Sequence, residues 1–181
     1  VPSRGLGDVY KRQVLVVENH KLPRINYSLR FDRKPVVEGE KTGVISLLGS
    51  MLGNGTTSIP KDDFNEEVDF LGAGINVGFG SGFAFTLTKN NERVLELFSD
   101  AVINPLLTEE EFEKEKDKLI EGLKSQKKDI DAISGRVGDA LSYGKTHAYG
   151  EFISEQTIDN IKFEDILEYH AKYFIPNNVY I

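Results

Sequence analysis

The chain has 181 residues, 39% of them hydrophobic and 28% charged, with no cysteine and a net charge of −7 at neutral pH. That is the composition of a globular domain with a real core, and it excludes disulfides, thiolate metal sites and cysteine nucleophiles. An acidic balance also argues against non-specific nucleic-acid binding, which needs a basic face. No apolar run approaches the roughly 18 residues of a membrane span.

Residues 1–13, VPSRGLGDVYKRQ, carry no apolar periodicity and no hydrophobic core of a secretory signal. They read as a non-native leader, so a single domain is expected over 14–181. Val14 to Glu18 is a short apolar run. It ends in a turn through Asn19, His20 and Pro23. Ile25, Tyr27, Leu29 and Phe31 then alternate with polar or small residues, the period of a half-buried strand. The two runs read as a strand pair.

Thr42 is positioned to cap a helix over Gly43–Leu52. In that helix Val44, Leu47, Leu48, Met51 and Leu52 share one apolar face. A second helix is expected from Lys61 to Leu71, with Phe64, Val68 and Leu71 inward. A glycine-rich hairpin follows: Ile75, Val77 and Phe79 alternate in its first strand, Phe83, Phe85 and Leu87 in its second. These glycines lead from strand to strand. A phosphate-cradling loop would lead from strand to helix, so a dinucleotide site is excluded.

Asn90 to Ile103 predicts a helix with Val94, Leu95, Leu97, Phe98 and Val102 inward. Thr108 caps a long helix running to about Lys128, with Glu111 completing a capping box. A shorter helix is expected near Ala132–Leu141, another at Phe163–Phe174, and a strand from Val179. The order predicts an α+β fold: a mixed, largely antiparallel sheet with helices packed on one face.

No catalytic constellation stands out. His20, His147 and His170 are scattered, with no pair at i, i+4, and each reads as structural or surface. Ser46 and Ser50 share a helix face but have no neighbouring base to activate them. Glu109, Glu110 and Glu111 read as first-turn acids favoured by the helix dipole.

Five segments in this order resemble the first domain of the pitrilysin/insulinase family of zinc peptidases, which includes the mitochondrial processing peptidases. They are GVISLLGSMLGNGT (43–56), LGAGI (71–75), FEKEK (112–116), HAYG (147–150) and YFIPNN (173–178). Active members carry H-x-x-E-H on the first helix. Two histidines bind zinc, the glutamate activates the zinc-bound water, and a distal glutamate completes the ligand set. By this resemblance the motif positions fall on Ser46, Gly49 and Ser50, and the distal ligand position falls on Gly122, with Glu121 as its one-residue neighbour. Glu115 matches a second acid that supports the site. Glycine at 49 and 122 in helix interiors costs roughly 1 kcal/mol each relative to alanine, and close packing against a neighbour is the expected reason.

The resemblance therefore implies a non-catalytic half or subunit that encloses and holds peptide and supports an active half. The alternative is a non-proteolytic scaffold or core-type protein on the same fold. No metal or cofactor is expected in this chain, zinc being confined to the active partner half. Expected partners are that half or subunit, in a heterodimer or a tandem chain, a second domain of the same half, and the peptide itself. No nucleic-acid partner or membrane span is expected. Phe79, Phe83 and Phe85, crowding a hairpin whose glycines leave the backbone open, are the peptide-binding candidates. A bacterial periplasm or cell envelope is favoured over the cytoplasm by a small margin.

Overall fold

The structure, a computed structural model, describes residues 4–7, 13–16, 23–175 and 179–181. His20 and the turn 176–178 lie outside the described residues. The chain forms two compact units. The first comprises residues 1–32, 52–106 and 174–181, the second residues 33–51 and 107–173.

The first unit holds all the described strands, and every described pairing is antiparallel. β1 (Arg4–Gly7) pairs with β2 (Gln13–Val16). β3 (Arg24–Phe31), β4 (Gly74–Val77), β5 (Ser81–Leu87) and β6 (Val179–Tyr180) form a four-stranded sheet in the order β4-β5-β3-β6. The expected pairing of the Val14 run with the Ile25 run is therefore corrected. Among the described residues β3 pairs with β5 from Arg24 to Arg30 on one side and with β6 at Arg30 and Phe31 on the other, both strands distant in sequence.

α2 (Lys61–Phe70) and α3 (Asn91–Ile103) pack on the sheet. Phe64 and Val68 of α2 are buried, as are Val94, Leu97, Phe98, Ala101 and Val102 of α3. Leu95, expected inward, is instead partly exposed, because Val94, Leu97 and Phe98 already fill the stripe facing the strands. Across the two helices, Arg93 donates to Glu67 at 2.6 and 2.9 Å.

The second unit is helical. α1 (Val44–Met51) packs against α4 (Glu109–Gln126) and α7 (Phe163–Tyr173). Val44, Leu47, Leu48 and Met51 are all buried, as the 3–4 spacing requires. Thr108 caps α4 as expected, its hydroxyl accepting from Glu111 N at 3.3 Å. α5 (Ile130–Tyr143) is capped by Asp129, whose carboxylate accepts from Asp131 N and Ala132 N. The short α6 (Glu155–Asp159) opens with a reciprocal box between Ser154 and Thr157.

α1 is capped from an unexpected place. Thr42 does not cap it; its hydroxyl donates to Gly39 O at 2.6 Å. One oxygen of the Glu38 carboxylate accepts from Gly43 N at 3.0 Å and Ile45 N at 2.8 Å, covering donors that the helix start leaves free. A carboxylate there also meets the positive end of the helix dipole.

Candidate functional site

Two regions carry the residues singled out from sequence. The first is α1 with α4. Ser46, Gly49 and Ser50 lie on α1, and Ser46 and Ser50 are exposed while the intervening Leu47 and Leu48 are buried. Ser50 Oγ donates to Leu47 O at 2.9 Å. Gly122 lies on α4, the helix packed against α1. Beyond its own helix and chain neighbours, a Cβ built on Gly122 would meet nothing within 4 Å. Close packing is thus not the reason for glycine at 122; the position is open. Glu115 is largely buried and accepts from Lys118 Nζ at 2.6 Å, while Glu121 is exposed.

A zinc site built from these two helices would need imidazole or carboxylate donors converging on one point. Serine at 46 and 50 and glycine at 49 and 122 offer none. Among the described residues, no group of three or more His, Asp or Glu side chains is arranged to hold a metal ion. The residues at these positions do not fit zinc.

The start of α1 is held by two carboxylates from separate segments. Besides the Glu38 cap, Glu151 accepts from Glu38 N at 2.9 Å and Gly39 N at 3.0 Å. Burial pushes the Glu38 carboxyl above its usual range, and the nearby Glu151 adds to this; the N–H groups of Ile45 and Gly43 oppose it without cancelling it. Lys41 Nζ donates to the buried Asp165 carboxylate of α7 at 2.5 Å. Burial pushes Asp165 up, but the bonds from Lys41 and from Lys162 N outweigh it and hold the carboxyl below the usual range. Sequence reasoning missed both contacts, because neither Glu38 with Glu151 nor Lys41 with Asp165 is close in sequence.

The second region is the outer face of the sheet. In β5 the residues turned to the helices are Gly82, Ala84 and Thr86, all buried; Phe83 and Phe85 point the other way, 44% and 42% exposed. Sterics explain the choice. A Cβ on Gly82 would lie 3.0 Å from the Phe98 ring of α3, so α3 sits too close for a large side chain on that face. On the outer face, Phe85 is paired in register with Gly74 of β4. Its ring lies over the bare glycine, where a Cβ would come within 2.2 Å of it. Phe83 and Phe85 have ring centroids 6.0 Å apart. Their cross-strand neighbours are small or polar: Ser28 and Asn26 on β3, Asn76 and Gly74 on β4. Phe79 does not join them. It lies in the turn after β4 with its ring against Phe174, which in turn packs on the buried Phe31. Two of the three aromatic candidates are therefore brought together.

The described histidines are carried by neither α1, α4 nor the sheet. His147 is exposed and stacks on Tyr143 with centroids 5.6 Å apart, and its Nδ1 accepts from Tyr149 N. His170 lies in the last turn of α7.

Residues 36–142 match the model of the insulinase family of peptidases, family M16. No curated protein matches the chain. Among solved structures, it is similar to a crystal structure described as a peptidase M16 inactive domain from Pseudomonas fluorescens, with 23% identity and a TM-score of 0.84. It is also similar to one described as a protease from Helicobacter pylori, with 20% identity and a TM-score of 0.79. Each superposition covers 99% of this chain and 45% of the other, so the chain spans less than half the length of the structures it matches. Both likenesses are of fold, an α+β arrangement of helices with an antiparallel sheet. With more than half of its residues inside the family match, the chain belongs to the insulinase family of peptidases, M16.

Proposed function

We propose that this chain is part of a non-catalytic half of an M16 peptidase, which helps to enclose and hold peptide and supports an active, zinc-bearing half. The observation that carries this reading is the set of residues on α1 and α4: Ser46, Gly49, Ser50 and Gly122 where the family's zinc chemistry calls for two imidazoles, a general base and a carboxylate. Without those donors no zinc-bound water can be generated here, and hydrolysis falls to the partner half.

The outer sheet face supports the peptide-holding part. Phe83 and Phe85 offer exposed aromatic surface on β5, where their cross-strand neighbours are small or polar. β4 ends the described sheet, and its outer edge suits an extended peptide adding by main-chain hydrogen bonds. Phe83→Ser with Phe85→Ser then weakens peptide capture without removing the fold.

The test is co-expression with an M16 half that carries H-x-x-E-H. The expected result is a complex in which zinc is stoichiometric with the active half alone and peptide cleavage exceeds that of the active half by itself. Stoichiometric zinc in the purified chain, surviving dialysis against a mild chelator, overturns the reading. Placement of the motif is tested separately. Ser46→His, Ser50→His and Gly122→Glu together should create zinc affinity, since i, i+4 histidines can share one metal.

A further inference from the structure

α5 has the pattern of a core helix and the exposure of a surface one. Ile130, Ile133, Val137 and Leu141 recur at steps of three, four and four, which places them on one face. None is buried: their exposures are 80%, 41%, 52% and 82%. Asp129 caps the first turn of the helix, and Tyr143 at its end packs on the rings of His147 and Tyr149.

This stripe borders a groove of about 420 Å³. Its far wall is Phe152, itself partly exposed, from the segment before α6. The groove's charged lining residues are Arg136 and Lys145, and no carboxylate lines it. On a chain with a net charge of −7, that reverses the local sign. Arg136 is steadied by donating from Nε to Ala132 O at 3.2 Å, so its charge is held beside the apolar floor.

We propose that the α5 groove is a docking surface for an amphipathic helix of a partner chain, one that carries acidic residues along the margin of its apolar stripe. The 3–4 spacing on α5 matches the ridges a second helix would lay into it. α5 is long enough, at about 21 Å, to meet three to four turns of such a helix. Arg136 and Lys145 select for carboxylates and against a basic stripe. The proposal stands apart from the peptide-holding role, because it involves neither the zinc-motif positions nor the outer sheet face.

The test uses the whole chain and two fluorescent helical peptides in anisotropy titrations. Both carry Leu at i, i+3, i+4 and i+7; one has Glu at the flanking positions and the other Lys. The Glu peptide is expected to bind about tenfold or more tightly than its Lys twin at low salt, a gap that narrows as salt rises. Val137→Asp should weaken the Glu peptide by about tenfold or more while circular dichroism stays unchanged. Arg136→Glu with Lys145→Glu should reverse the preference between the peptides. Equal affinity for the two peptides, or binding of neither, overturns the proposal. Concentration-dependent dimerisation abolished by Val137→Asp also overturns it, in favour of a second copy of this chain as the occupant. Peptidase activity is not read, so the outcome leaves the peptide-enclosing role to its own test.

Discussion

α1 and α5 belong to the same helical unit and carry the same kind of apolar stripe, yet one buries all of it and the other none. The four stripe residues of α1 lie under α4 and α7, whereas the four of α5 are 41% to 82% exposed. Amphipathic spacing thus marks a face that needs a partner and does not say whether the partner is in the same chain. What distinguishes the two helices is what surrounds them. The start of α1 is fastened by Glu38, and the turn before it by Glu151 and by the Lys41–Asp165 pair; α5 has its own local cap at one end and, at the other, Tyr143 against the rings of His147 and Tyr149.

The sharpest way to break this comparison is to truncate the stripes. Leu48→Ala in α1 should cost about 2–5 kcal/mol in chemical denaturation, the range for a fully buried leucine. A loss under about 1 kcal/mol would mean α1 is not core.

The caps should differ in the same direction. Glu38→Ala is expected to cost about 1–2 kcal/mol, since it uncovers two N–H groups at the start of a buried helix. Asp129→Ala should instead fray α5 locally, seen as faster amide exchange in residues 130–133 with little change in the global midpoint.

Asp165→Asn should cost about 1–2 kcal/mol at neutral pH by weakening a part-buried, charge-assisted bond. The pH dependence has a definite sign. The Asp165 carboxyl is held below its ordinary value of 3.8 in the folded chain, so its contribution is present above that pH and fades as pH falls through the folded value. The gap in melting temperature between wild type and Asp165→Asn should therefore be constant above about pH 5 and close in stronger acid. Glu38 acts in the opposite sense. Its carboxyl is raised above 4.5, so its ionisation subtracts stability as pH climbs past that value.

Smaller effects sharpen the picture. Gly122→Ala on α4 should stabilise by about 0.5–1 kcal/mol, because the added methyl meets open space and the helix loses a glycine. Val137→Ser on α5 should change stability by less than about 0.5 kcal/mol, as expected for a surface position. A larger loss would show that the α5 stripe is covered within the chain.

The sequence made some of this legible and concealed the rest for physical reasons. The inward stripe of α1, the Thr108 cap and the β4–β5 hairpin are local patterns, and each lies where its spacing placed it. In β5 the alternation was plain, but period two fits both faces equally. Phe83 and Phe85 face out because Phe98 of α3 leaves no room for a large side chain at Gly82 on the inner side, a constraint set by a distant helix. Thr42 is adjacent to α1 and of the right type to cap it, whereas Glu38 reaches the free donors from farther back. The pairing of β2 with β1, and of β3 with β5 and β6, depends on contacts that no local pattern records. At the candidate site, the degenerate positions were legible as residue types through the resemblance, while the open space at Gly122 was not. α6 went unseen although Ser154 and Thr157 have the spacing of a capping box; threonine in place of glutamate obscured it.

The Phe85 ring lying over Gly74 gives the outer sheet face a built-in spectroscopic reporter. With no side chain between them, the glycine α-protons sit in the ring's magnetic field, and their resonances should be displaced from those of an ordinary strand glycine. Anything that settles on this face and moves the ring changes that displacement. A single pair of proton resonances thus records occupancy of the sheet surface, without a label and whatever the identity of the molecule that arrives.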